Sequence, residues 1–184
     1  MPKLNSLVLN LMQTLEKEYG WKFTEEEYKN TPIRITKMLD EWKAKKDYEK
    51  FTVFDNEYNY DELIAVKGIE FMAFCSHHLM PFYGTASIVY LPNTKIIGAS
   101  KLVRIVEKYA YQAQVQERMT RTIADELDAI LQPQGVLVHV EATHMCMTTR
   151  GVKQSGNTKM ATNALTGIMY TNETLKREAL EMIQ

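Results

Sequence analysis

Three of the four histidines and both cysteines of this 184-residue chain fall in two short segments, Cys75-Ser76-His77-His78 and His144-Met145-Cys146. Cysteine and histidine at close spacing form the usual zinc ligand set. Cys75 and His78 can share a metal only if the chain turns there, since extended residues three apart face opposite ways. His144 and Cys146 share one face if extended. A catalytic zinc takes three protein ligands and leaves a position open for water, so five candidates leave side chains over for acid–base work. Buried cysteines with solvated histidines are the bland rival. That rival suits an isolated cysteine better than it suits this cluster.

A second group is cationic. Arg34 and Lys37 are three apart, as are Lys101 and Arg104, and helical residues so spaced are surface neighbours. Arg150 and Lys153 follow the second metal segment. Cations beside a helix N-terminus make an anion site. Any one such pair, taken alone, reads as solvated surface charge. Glu117, in Gln114-Val115-Gln116-Glu117-Arg118, is either a first-turn acid complementing the helix dipole or a carboxylate for an amine-bearing ring. Composition does not choose between the two.

These side chains need a scaffold. The chain is long enough for one core. Its formal net charge of −1 argues against a general nucleic-acid binder, which neutralises phosphates with a basic surface. No apolar run approaches the roughly 20 residues of a membrane helix, and the spaced apolar residues of the N-terminus do not make a signal peptide. The expectation is a soluble, cytoplasmic protein without membrane or nucleic-acid partners. In that compartment Cys75 and Cys146 bind metal or are buried rather than form a disulfide.

Leu4, Leu7, Val8, Leu11, Met12 and Leu15 give residues 3–18 one apolar helical face, and Gly20 is a plausible stop. Thr31-Pro32 reads as an N-cap and first-turn proline, with Ile35, Met38, Leu39 and Trp42 as the inner face of the helix that follows. Residues 44–62 read as loop. Residues 68–75 and 82–91 read as strands. Ser100 can cap a helix bearing Leu102, Ile105, Val106 and Tyr109. A further helix carries Val115, Met119, Ile123, Leu127 and Leu131, ended by Pro133 and Gly135. Residues 136–142 alternate as a strand, another strand lies within 160–170, and 172–183 can be helical. The order predicts an α+β chain with a four-stranded antiparallel sheet and two helices on one face. Residues 1–62 would be an N-terminal helical region and 63–184 the catalytic domain. Four strands leave two open edges, which neighbouring subunits often close.

The segments FCSHHLMPFYG, IIGASKLVRIVEKYA, QVQERMT and EATHMCMTTRGV resemble, in order and spacing, the signature segments of GTP cyclohydrolase I. The likeness runs from about Thr31 to Gly167. It implies zinc ligands at Cys75, His78 and Cys146 and acid–base histidines at His77 and His144. It also implies a guanine edge held by Glu117 with Gln116 beside it, and a triphosphate pocket of Arg34, Lys37, Ser100, Lys101, Arg104 and Arg150. The family's tunnelling fold joins subunits into rings, with two pentamers stacked as a homodecamer and sites between subunits. The implied reaction has zinc-activated water attack C8 of GTP, opening the imidazole ring. Formate leaves and 7,8-dihydroneopterin triphosphate forms, the start of folate, pterin-cofactor and deazaguanine routes. The chain departs from the pattern at Ser76, where many relatives have Glu, and at Tyr111 and Gln112. It departs again in residues 154–162, one residue longer, with Met160 where a hydroxyl residue is usual.

Two other readings have discriminating features. A nucleobase deaminase needs H-x-E together with P-C-x-x-C, and no P-C-x-x-C occurs. A catalytically silent purine- or pterin-binding relative would not need Cys75, His77, His78, His144 and Cys146 intact.

Overall fold

Thr24 opens the second helix. Its hydroxyl and backbone N–H both meet the Glu27 carboxylate, and Glu27 N–H donates back to the Thr24 hydroxyl, a capping box that fixes the helix start. The computed structural model describes residues 2–49 and 51–184. Helix α1 is Pro2–Tyr19 and α2 is Glu25–Lys46. The helix expected to begin at Thr31-Pro32 thus begins six residues earlier, with Pro32 inside it. Gly20 ends α1 with φ of +70°, a left-handed conformation that costs glycine least. Val8 and Met12 of the predicted face are buried. Thr36 donates to Asn5 at 2.6 Å, tying α2 to α1. The chain divides into one compact unit ending at Ala44 and a second, Lys45–Gln184.

The second unit is mixed α+β. Strands β1 (Val53–Asp55) and β4 (Lys95–Ile97) pair with each other. The main sheet contains β2 (Ile64–Cys75), β3 (Pro81–Leu91), β5 (Ala113–Gln114), β6 (Gly135–His144) and β7 (Met160–Leu165), in the order β5-β2-β3-β6-β7. The four expected antiparallel strands are present. The short β5 joins them parallel to β2, making five. Residues 44–62 are therefore not all loop, and the last strand stops at Leu165, where a 3-10 turn (Gly167–Tyr170) follows. Three-residue strands are too short to leave a periodic signal.

Helices α3 (Ala99–Ala110) and α4 (Gln116–Leu131) cover one sheet face. Leu102, Ile105, Val106, Met119, Ile123 and Leu127 pack there on Phe71, Phe82, Ile88 and Val138. Gly98 is the N-cap of α3, and no side-chain cap bond is made, so Ser100 sits inside the first turn instead of capping it. Gln132 ends α4 in the left-handed region, ahead of the expected Pro133. On the other face Val89, Leu91 and Leu137 pack with Met169 and with Ala179 of the C-terminal helix (Glu173–Glu181). No helix among the described residues is long and apolar enough to cross a membrane.

Candidate active site

Three strand registers bring the chemistry-bearing segments to one end of the sheet. Cys75 is the last residue of β2, and β3 starts at Pro81. The intervening residues turn tightly. Cys75 N–H donates to Met80 carbonyl at 2.8 Å, Leu79 N–H donates to Cys75 carbonyl at 2.8 Å, and Leu79 takes φ of +50°. This turn lets Cys75 and His78 face each other, which an extended strand forbids. The pairing of Cys75 with Gln114 brings β5 and the start of α4 alongside. The pairing of Phe82 with His144 brings in the end of β6, and Cys146 follows on the short helix α5 (Met145–Thr148).

The ligand atoms of Cys75, His78 and Cys146 lie within 4.8 Å of one another. Cys75 Sγ is 3.9 Å from His78 Nδ1. A tetrahedral zinc, with bonds of about 2.3 Å to sulfur and 2.0 Å to nitrogen, sets ligand atoms roughly 3.5 Å apart, so small side-chain shifts suffice. The donor set and its spacing fit a metal. His77 Nδ1 lies 3.7 Å from Cys75 Sγ, but His77 does not join the group that includes Cys146. Burial, with the Cys75 thiol next in effect, raises the Cys146 thiol pKa.

Arg150 Nη1 lies 2.9 Å from His78 Nε2. Guanidinium only donates, so here Nε2 accepts and the imidazole proton is on Nδ1. Ligation through Nδ1 puts the proton on Nε2. The Arg150 bond and ligation of a metal through Nδ1 therefore exclude each other.

Gln116 is 1% exposed. Its amide nitrogen lies 3.1 Å from Val140 carbonyl, 3.0 Å from Met160 carbonyl and 3.1 Å from the Thr162 hydroxyl. Three acceptors on one side fix the amide's orientation, so its oxygen faces His144 Nε2 at 2.8 Å. That oxygen can only accept, so His144 carries its proton on Nε2 and keeps the lone pair on Nδ1. Phe82 stacks on the His144 ring at 4.5 Å. Burial lowers the His144 pKa, with Glu117 opposing, and the ring is neutral at pH 7. A sequence reading that puts Gln116 beside Glu117 at the ligand edge misses this buried role. It also misses Phe82, which only the β3–β6 register identifies.

Cys75, His77, His78, Gln114, Val115, Gln116, Glu117, His144, Cys146 and Met160 line one cavity of about 220 Å³. Ligand pockets usually span about 300–1,000 Å³, so this cavity is smaller than that range. Glu117 is exposed in the first turn of α4. Arg150 meets His78 at the edge of this cavity, and none of the other predicted cations lines it. Ser100, Lys101 and Arg104 lie at the start of α3, whose other end leads into β5 at the cavity. Lys101 lies nine residue steps from Ala110 at that end, roughly 13 Å at 1.5 Å per residue. Arg34 and Lys37 belong to α2 in the other unit, where Arg34 pairs with Glu26 at 2.8 Å. Lys153 is exposed with φ of +47°.

The GTP cyclohydrolase I family profile matches residues 8–184. The GTP cyclohydrolase 1 of Hydrogenobaculum sp. (strain Y04AAS1) is 43% identical over 165 residues, covering 90% of this chain and 90% of its own. That of Geobacillus kaustophilus (strain HTA426) is 44% identical over 162 residues, covering 84% of each. That of Aquifex aeolicus (strain VF5) is 40% identical over 156 residues, covering 85% of this chain and 84% of its own.

Proposed function

The chain belongs to the GTP cyclohydrolase I family, whose enzymes act on GTP, and from that premise we propose how its residues divide the work. Cys75, His78 and Cys146 hold a zinc ion. Bound there, zinc would supply water activated by a pKa lowered toward neutrality, a nucleophile for C8 of GTP. Glu117 accepts hydrogen bonds from N1–H and the 2-amino group of guanine, a pair of donors that adenine lacks. His77, exposed on the β2–β3 turn, donates a proton to N7. His144, held through its Nε2–H by Gln116, accepts protons at Nδ1. Gln116 is thus a positioning residue, its amide wholly engaged within the protein. The imidazole ring opens, formate leaves, and the ribose rearranges and closes on the freed amine to give 7,8-dihydroneopterin triphosphate.

The triphosphate needs cations. Arg150, which must leave His78 for ligation through Nδ1, is then free for a phosphate. Neither Lys101 nor Arg104 lines its own chain's cavity, and Lys101 stands near the far end of α3 from it. Their distance supports a site completed by a neighbouring subunit, which contributes its own Ser100, Lys101 and Arg104. Arg34 and Lys37 complete the set. A ring of subunits, two pentamers stacked as a decamer, satisfies this geometry. Its sheet edges are available for joining. Only Phe74 and Cys75 of the long β2 pair with β5, and β7 pairs with β6 alone among the described residues.

The observation that carries the reading is the convergence of Cys75, His78, Cys146, His144 and Glu117 on one cavity. Subunit complementation tests the shared site. Lys101→Ala and Cys75→Ala are each expected to be inactive. Mixed, dissociated and reassembled, they regain part of the activity, because some sites draw an intact metal group from one chain and an intact lysine from the other. A reassembled ring with no regained activity contradicts the shared site.

A further inference from the structure

The two cations at the start of α3 are not free. Lys101 Nζ donates to the Tyr48 hydroxyl at 3.0 Å. The Arg104 guanidinium lies 4.5 Å from the centroid of the Tyr48 ring. One half-buried phenol therefore holds both, its hydroxyl on the lysine and its face on the arginine. The Lys101 bond and the Arg104 charge lower the phenol's pKa. Tyr48 is itself anchored. Its ring meets Phe51 edge-on at 5.3 Å, and Phe51 packs on the core beneath α3. A lysine and an arginine in water sample many rotamers, and ordering them costs side-chain entropy. A contact that already orders them removes that cost from anion binding.

We propose that Tyr48 is a positioning residue for the triphosphate site, fixing Lys101 through its hydroxyl and Arg104 through its ring so that both meet the phosphates pre-ordered. This rests on the assignment of Lys101 and Arg104 to the triphosphate. Among the described residues the Tyr48 side chain meets Lys101, Arg104 and Phe51, and none of these is Cys75, His78 or Cys146. Its loss therefore acts on phosphate affinity and leaves the chemical step alone. Phenylalanine keeps the ring beside both cations and removes the hydroxyl bond to Lys101.

The test uses the zinc-loaded enzyme, with GTP kinetics and two competitive probes, inorganic tripolyphosphate and guanosine. Tyr48→Leu is expected to raise KM for GTP and Ki for tripolyphosphate about tenfold, the size set by losing a hydrogen bond to a charged group and an exposed cation–π contact together. Turnover at saturation and Ki for guanosine stay within about twofold, and Tyr48→Phe recovers part of the loss. A merely structural tyrosine would instead lower turnover and weaken both probes alike. Lys101→Ala, whose tripolyphosphate binding is read by calorimetric titration because the variant is inactive, is the control that separates the two assignments. If Lys101→Ala weakens tripolyphosphate and Tyr48→Leu does not, Tyr48 has no positioning role. If Lys101→Ala leaves tripolyphosphate binding unchanged, the triphosphate assignment fails and the proposal with it.

Discussion

Gln116→Leu removes one buried amide at nearly constant volume, and the structure sets what it costs. The Val140 and Met160 carbonyls lose a donor, His144 Nε2–H loses its acceptor, and the Thr162 hydroxyl loses one of two partners. Thr162 still meets Thr120 at 2.7 Å, and Thr120 donates to Gln116 carbonyl at 2.8 Å, a backbone bond the variant keeps. A buried polar group left unpaired costs about 1–3 kcal/mol, and the leucine regains part of this through apolar contact, so the net loss is about 2–4 kcal/mol. For a chain of this length that corresponds to a fall in Tm of roughly 5–15 °C. Catalysis falls as well. Without Gln116 the imidazole is held only by stacking on Phe82, and a misdirected acid–base group forfeits much of a contribution of about 10²–10⁴-fold. Zinc content stays near one per chain, because the amide bonds none of Cys75, His78 or Cys146. Circular-dichroism melting, metal analysis and GTP turnover on one preparation read all three. A variant that melts with the parent and turns over normally refutes the assigned network. A variant that loses zinc refutes the separation of Gln116 from the metal group.

Cys75→Ala and Cys146→Ala are expected to lose zinc and turnover together, whereas His77→Ala keeps most of its zinc and loses turnover, by elemental analysis and assay. Glu117→Gln is expected to cut GTP turnover by orders of magnitude with zinc retained, since polar sites can reject a mispaired base by about 10⁴-fold. If Glu117 only complements the α4 dipole, the variant loses about 0.3–1 kcal/mol of stability and keeps its rate. Gly84→Ala is expected to disrupt the β3–β6 pairing. A Cβ there would lie 1.9 Å from Glu141 carbonyl oxygen and 2.6 Å from Ala142 Cα, so soluble yield and Tm fall sharply. Parent-like melting would show that the two strands can separate at no cost.

The metal group was legible because its members are rare residue types, close in sequence and joined by one tight turn. Cys146, beyond β6, followed from family likeness and is brought in by sheet register. The core helices were legible from periodicity, since Leu102, Ile105 and Val106 repeat at helical spacing on a face that is fully buried. Thr31-Pro32 misled because proline at the first turn is common, while the stronger Thr24–Glu27 box lay seven residues upstream. Gln116 was legible as a site residue but not in its role. Its partners Val140 and Thr162 come from two other strands, 24 and 46 residues away. No local pattern encodes such a meeting. The hold of Tyr48 on Lys101 spans 53 residues and is invisible for the same reason.

The activity assigned to this cavity is opening of the imidazole ring of GTP. Incubating the zinc-loaded protein with GTP and quantifying formate against dihydroneopterin triphosphate tests it directly. The account predicts one formate released per pterin formed, with catalytic turnover abolished in Cys146→Ala. Protein that holds zinc and binds GTP yet releases no formate would contradict it, leaving a ring that binds purine without performing chemistry.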